Sequence, residues 1–151
     1  MSKYATLERI CRSTTAIRHG IANTPTEQHL NAIALLAEKI YDPLCQHFGF
    51  TIPFTSWYRS RAVNTLIGGS GTSQHTLGEA VDLDVDGSGR VITNSVIFHY
   101  IANHLEFDQL IWEYGDDRSP AWVHVSFSAI HNRRQVLRIK SKSTGYQLFT
   151  P

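Results

Sequence analysis

The hydrophobic residues change period partway along the chain, and that change limits the architectures open to it. From residue 30 to 48 they fall at Leu30, Ile33, Ala34, Ala37, Ile40, Tyr41, Leu44, Cys45 and Phe48, the three-and-four spacing of a helix buried along one face. From Thr51 to Tyr58 the pattern alternates and places Ile52, Phe54, Ser56 and Tyr58 on one side of a strand. The same reading gives helices over 6–19, 60–67 and 93–105, and strands over 81–85, 109–114, 122–127 and 135–140. Helices come first and most strands later. That order favours an α+β fold, with N-terminal helices packed on a mainly antiparallel sheet, over a doubly wound one.

Local signals mark the boundaries. Thr24 reads as a helix cap, Pro25 as first-turn proline and Glu27 as the third member of a capping box. Asp42-Pro43 is expected to kink or restart the long helix, and Gly20 and Gly49 to end helices. A chain of 151 residues is read as one domain, 1–151, long enough to bury a core without staples. The formal net charge of +1 argues against a bulk nucleic-acid or membrane-surface binder. The basic run at His131-Asn132-Arg133-Arg134, continued by Arg138, Lys140 and Lys142, reads as a solvated strand edge, with attraction to an anionic polymer as the alternative. Cys11 and Cys45 read as free thiols on helices, without the paired spacing of a cysteine metal site. The first residues lack the apolar stretch of an export signal, so synthesis in the cytoplasm is expected, with action on its target after release or delivery. No apolar run approaches the length of a membrane span.

Three residues carry the chemistry. His75 and Asp82 lie in Ser73-Gln74-His75-Thr76-Leu77-Gly78-Glu79-Ala80-Val81-Asp82, and His124 lies in Trp122-Val123-His124-Val125-Ser126. A bare His-x6-Asp spacing is weak, since a lone histidine is usually structural and Asp82 suits a cap. The longer pattern, with Gly78 and Ala80 permitting close backbone approach, is more specific. Neutral imidazole nitrogens and a carboxylate oxygen suit zinc, and three protein ligands leave a position for water. A calcium site at Asp84 and Asp86 is conceivable but lacks the spacing of a calcium-binding loop.

The pattern from Ser73 to Asp82, answered by His124, resembles the zinc D-Ala-D-Ala carboxypeptidases and their phage endolysin relatives, which share a fold with the Hedgehog signalling domain. The resemblance implies His75, Asp82 and His124 as ligands of Zn2+. It also implies an arginine after a strand, here Arg59, that binds a substrate carboxylate or polarised carbonyl, with Arg61 as the nearby competitor. Ser73 falls where a hydroxyl contacts substrate. Many members place an acid three residues before the last histidine; Ala121 stands there in this chain. Glu113, at the end of the strand 109–114, is the best replacement as general base. Asp116 and Asp117 are weaker candidates because Gly-Asp-Asp is turn chemistry.

The expectation is a zinc metallopeptidase cutting peptide bonds of peptidoglycan stem peptides, either a carboxypeptidase or an endolysin-type endopeptidase of phage or prophage origin, acting as a monomer. Two alternatives stand beside it. One is a zinc-containing cell-wall-binding module without turnover, which the loss of the acid at Ala121 supports. The other is a hydrolase of free small dipeptides.

Overall fold

A computed structural model describes residues 1–150. Six helices, α1 (Leu7–Cys11), α2 (Thr14–His19), α3 (Glu27–Leu36), α4 (Asp42–Phe48), α5 (Arg61–Leu66) and α6 (Asn94–His104), accompany six strands. The strands are β1 (Phe54–Ser56), β2 (Ala80–Leu83), β3 (Gln109–Glu113), β4 (Trp122–Ser126), β5 (Gln135–Ile139) and β6 (Tyr146–Leu148), in the sheet order β1-β2-β4-β3-β5-β6. The fold is α+β, and the sheet is mixed. β5 leaves β4 and returns on the far edge of β3, which forces a parallel β3–β5 pair among antiparallel ones.

The helical region departs from the simplest reading at two points, and at Asp42-Pro43 the long helix restarts as expected. The helix expected over 6–19 is two helices, because Arg12 is extended and the Ser13 hydroxyl accepts the Ala16 N–H to start α2. The cap of α3 is Thr26 rather than Thr24. Thr26 accepts the His29 N–H, and the His29 ring answers the Thr26 N–H, so histidine takes the box position expected of Glu27. Between α3 and α4 the backbone widens into a π turn over Ala37–Tyr41. Pro43 lacks an N–H and its ring crowds the preceding turn. The widened turn lets the chain pass it with Pro43 at the start of α4.

The two faces of the sheet differ. One face joins Val81, Leu83, Leu110, Trp112, Val123 and Val125 to helix residues such as Ile33, Leu36, Ile40, Leu44, Ile97 and Phe98 in one core. The other carries Asp82 and His124, then a small apolar cluster of Ile111, Leu137 and Ile139. Strand alternation therefore puts the metal-type residues on the face opposite the main core.

Candidate metal centre

Asp82 on β2 and His124 on β4 are register partners, so their side chains are neighbours on one face. His75 arrives from a 3-10 turn over Gln74–Leu77. That turn ends at Gly78, whose φ is +79°. A β-carbon there would sit 2.9 Å from the His29 carbonyl oxygen and 2.9 Å from Ile33 Cγ1. Gly78 is thus required both for its left-handed backbone and for close approach to α3. The outcome is a His75, Asp82 and His124 cluster whose ligand-type atoms all lie within 4.8 Å of one another.

The contacts inside the cluster define what it accepts. His75 Nδ1 lies 2.6 Å from the Trp57 carbonyl oxygen. A carbonyl only accepts, so Nδ1 carries the proton and Nε2 presents a lone pair. That Nε2 is 3.2 Å from Asp82 Oδ1, and His124 Nδ1 is 2.9 Å from the same oxygen. Burial pushes the His75 imidazole below its ordinary pKa, against the pull of Asp82. Burial alone would raise the Asp82 carboxyl, but the pull of the neighbouring histidine rings outweighs it and holds Asp82 ionised. A neutral His75 then sets a lone pair against a carboxylate oxygen, an arrangement that a cation between them stabilises. Ligand atoms bound at about 2.0–2.2 Å to a tetrahedral ion lie roughly 3.3–3.6 Å apart, a few tenths of an ångström beyond these contacts. The donor set of two imidazoles and one carboxylate fits zinc and leaves a position open.

Arg59 borders this cluster. Its backbone N–H donates to the His75 carbonyl at 3.1 Å, and its Nη2 is 3.9 Å from Asp82 Oδ2. Residues 57–59 therefore grip His75 by both ring and backbone. Arg61, by contrast, is an exposed first residue of α5. Glu113 is only 6 % exposed and lies two residues along β3 from Ile111, the register partner of His124. That spacing puts Glu113 on the cluster's face, about 7 Å further along the strand. Burial pushes the Glu113 carboxyl up to about 7, with His124 and Arg59 lowering it and Asp82 raising it. Ser73 leads into the His75 turn, where its carbonyl accepts the Thr76 hydroxyl at 2.7 Å.

Other candidates are committed elsewhere. Asp116 accepts the N–H groups of Arg118 and Ser119 and shapes the β3–β4 turn, and Asp117 pairs with Arg138 and Lys140. The basic run is largely tied into the fold. Arg133 forks onto Asp108, Arg134 donates to the Leu105 and Ala102 carbonyls, and Arg138 lies over Trp112. Asp108 also accepts from Gln74 Nε2 at 3.0 Å, so it ties the His75 turn to the start of β3. Cys11 and Cys45 are free thiols, as expected. One residue near the cluster was not anticipated. Tyr146 on β6 is the register partner of Ile139, itself the partner of Glu113, and its phenol is raised first by burial and then by Glu113. No local signal marks it, because only the parallel β3–β5 pairing brings it there.

Among known families, a model described as Peptidase M15 matches residues 3–126. No curated protein matches the chain. The matched span contains His75, Asp82, Glu113 and His124 and ends at the last residue of β4.

Proposed function

The chain belongs to the peptidase M15 family of zinc peptidases, and from that premise we propose that it hydrolyses peptide bonds in the stem peptides of peptidoglycan. The observation that carries this reading is the convergence of His75, Asp82 and His124, with Glu113 buried on the same sheet face.

In this reading His75 Nε2, an Asp82 oxygen and a His124 ring nitrogen hold zinc. When bound, zinc supplies Lewis acidity toward a carbonyl oxygen and lowers the pKa of a water. The chain's own residues do the rest. Trp57 fixes the His75 tautomer through its carbonyl, as an outer partner orients a metal-binding imidazole. Glu113, with a carboxyl poised near 7, takes a proton from the attacking water and delivers it to the leaving amine. Arg59 meets the oxygen that becomes negative, or a carboxylate beside the scissile bond, through its planar fork of donors. Ser73 adds a hydroxyl at the edge of the site. Ala121, three residues before His124, has no acid to offer, and in this reading Glu113, its neighbour across the β3–β4 pairing, takes the role.

Digestion of purified peptidoglycan with the zinc-loaded protein, read by mass spectrometry of the released muropeptides, tests the reading and names the bond. Loss of one D-alanine marks a carboxypeptidase, and cleaved stems or crosslinks mark an endopeptidase. Stoichiometric zinc with no change in any muropeptide would leave a binding module. Cleavage of free D-Ala-D-Ala with an intact polymer would leave a dipeptide hydrolase.

A further inference from the structure

Beside the metal cluster, on the side of α1, α2 and β1, the structure has a cavity of about 370 Å³. Arg9, Arg12 and Arg59 line it, with Thr15, Phe54 and Trp57. Among the described residues that line it, none is acidic. Arg9 lies with its guanidinium carbon 5.0 Å from the Phe54 ring centroid, and its Nη2 donates to the Phe54 carbonyl at 3.4 Å. Neither Arg9 nor Arg12 pairs with a carboxylate among the described residues. Arg9 and Arg12, two guanidinium groups on the wall of one concavity without a carboxylate partner, make it a place where an anion is favoured, while Arg59 is already shared with Asp82.

Trp57 is 1 % exposed, and its indole N–H finds no acceptor among the protein's own atoms. The Arg59 Nε is likewise buried and unpartnered. Buried donors in folded proteins are nearly always paired. Both residues belong to the cavity wall, but their orphaned donor atoms are sealed from the cavity itself. The cavity also shares a wall with the cluster, since Trp57 accepts from His75 and Arg59 reaches toward Asp82. The cavity therefore adjoins the cluster across Trp57 and Arg59.

We propose that this cavity is an anionic subsite, in which Arg9 and Arg12 take a free carboxylate of the substrate at a position away from the scissile bond. The inference rests on the stem-peptide reading for the source of that carboxylate. It makes the protein selective for stems whose acidic residue is free over stems in which the same group is a carboxamide. A carboxamide keeps the shape but loses the charge, and it turns one acceptor into a donor that faces guanidinium donors.

The test uses two synthetic stem peptides that differ only in that group, carboxylate or carboxamide. Binding to the zinc-free protein is read by tryptophan fluorescence, and Michaelis constants are read on the zinc-loaded enzyme. The natural protein should prefer the acid by about tenfold, the size of a partly exposed charge-assisted contact. In Arg9→Gln/Arg12→Gln the preference should fall to near unity. Arg12 is exposed, so Arg12→Gln alone carries the test if the double variant does not fold; it should reduce the preference at least threefold. Equal binding of the two peptides by the natural protein overturns the subsite. So does a preference that survives both substitutions. Charge-selective binding without hydrolysis would instead overturn the peptidase reading and leave the subsite standing.

Discussion

A hydrogen bond of 2.6 Å from His75 Nδ1 to the Trp57 carbonyl fixes which nitrogen of that ring is available, and the whole site follows from that choice. With Nε2 bare beside Asp82, removal of either histidine leaves two ligands, too few to hold zinc tightly. His124→Ala should therefore lose stoichiometric zinc while keeping its circular dichroism, as measured by metal analysis of the purified variant. Full zinc content in the His75→Ala/His124→Ala protein would place the ion elsewhere. Glu113 makes a separate prediction. Glu113→Gln should retain zinc and lose turnover by a factor on the order of 10² to 10⁴, the usual size of general acid–base catalysis. The sign of the pH effect follows from its raised carboxyl. A base acts when ionised, so kcat/KM should climb as pH rises toward and through about 7, and a cation held at the cluster would draw that midpoint lower. The glutamine variant should lack this limb. A pH profile with the same limb in both proteins would assign it to another group.

At the scale of elements, the His75 turn is held by more than its own backbone. Asp108 stands at the head of β3 and accepts from Gln74 on one side and from the fork of Arg133 on the other. Arg133 holds the Asp108 carboxyl below its ordinary value, chiefly by hydrogen bonding. A carboxylate with a depressed folded pKa contributes stability that is complete above its unfolded pKa of about 3.9 and lost as pH falls through the folded value. Thermal midpoints of the zinc-free protein should thus drop on acidification below about pH 4, and Asp108→Asn should flatten that drop while lowering the midpoint at neutral pH. Parallel curves for the two proteins would remove Asp108 from the acid response. The elements around this latch were legible to different degrees. β3, β4 and β5 end within a residue of where the sequence places them, and β3 and β4 are buried on both faces after their first residue. The break at Arg12-Ser13 was hidden by apolar residues that continue the helical period on both sides. The cap at Thr26 was masked by Thr24-Pro25, an equally good local start, and only the His29 ring decides between them. The cluster itself was legible because its residue types are rare together. Its neighbours Asp108 and Tyr146 were not, because long-range contacts and strand order bring them in.

At the scale of the whole molecule, the family match stops at residue 126 while the fold does not. β5 lies beyond that point, yet it pairs with β3 along its full length, from Gln109 with Gln135 to Glu113 with Ile139. Its Leu137 and Ile139 form the apolar cluster with Ile111 on the site's own face, and Phe149 packs on Trp112 on the other. Without this segment β3 would become an edge strand with a row of unpaired backbone groups, and Ile111 and Trp112 would face water. The segment thus completes the sheet that carries Glu113, and on that ground a single cooperative unit is expected. A chain ending at Ser126 should fail to show a cooperative thermal transition, whereas the full chain should unfold in one step seen alike by far-ultraviolet circular dichroism and tryptophan fluorescence. Two separated transitions in the full chain would divide it into units. A cooperative transition in the shortened chain would show that β1, β2, β4 and β3 close the core unaided, and the strands beyond would then serve the site's outer face alone.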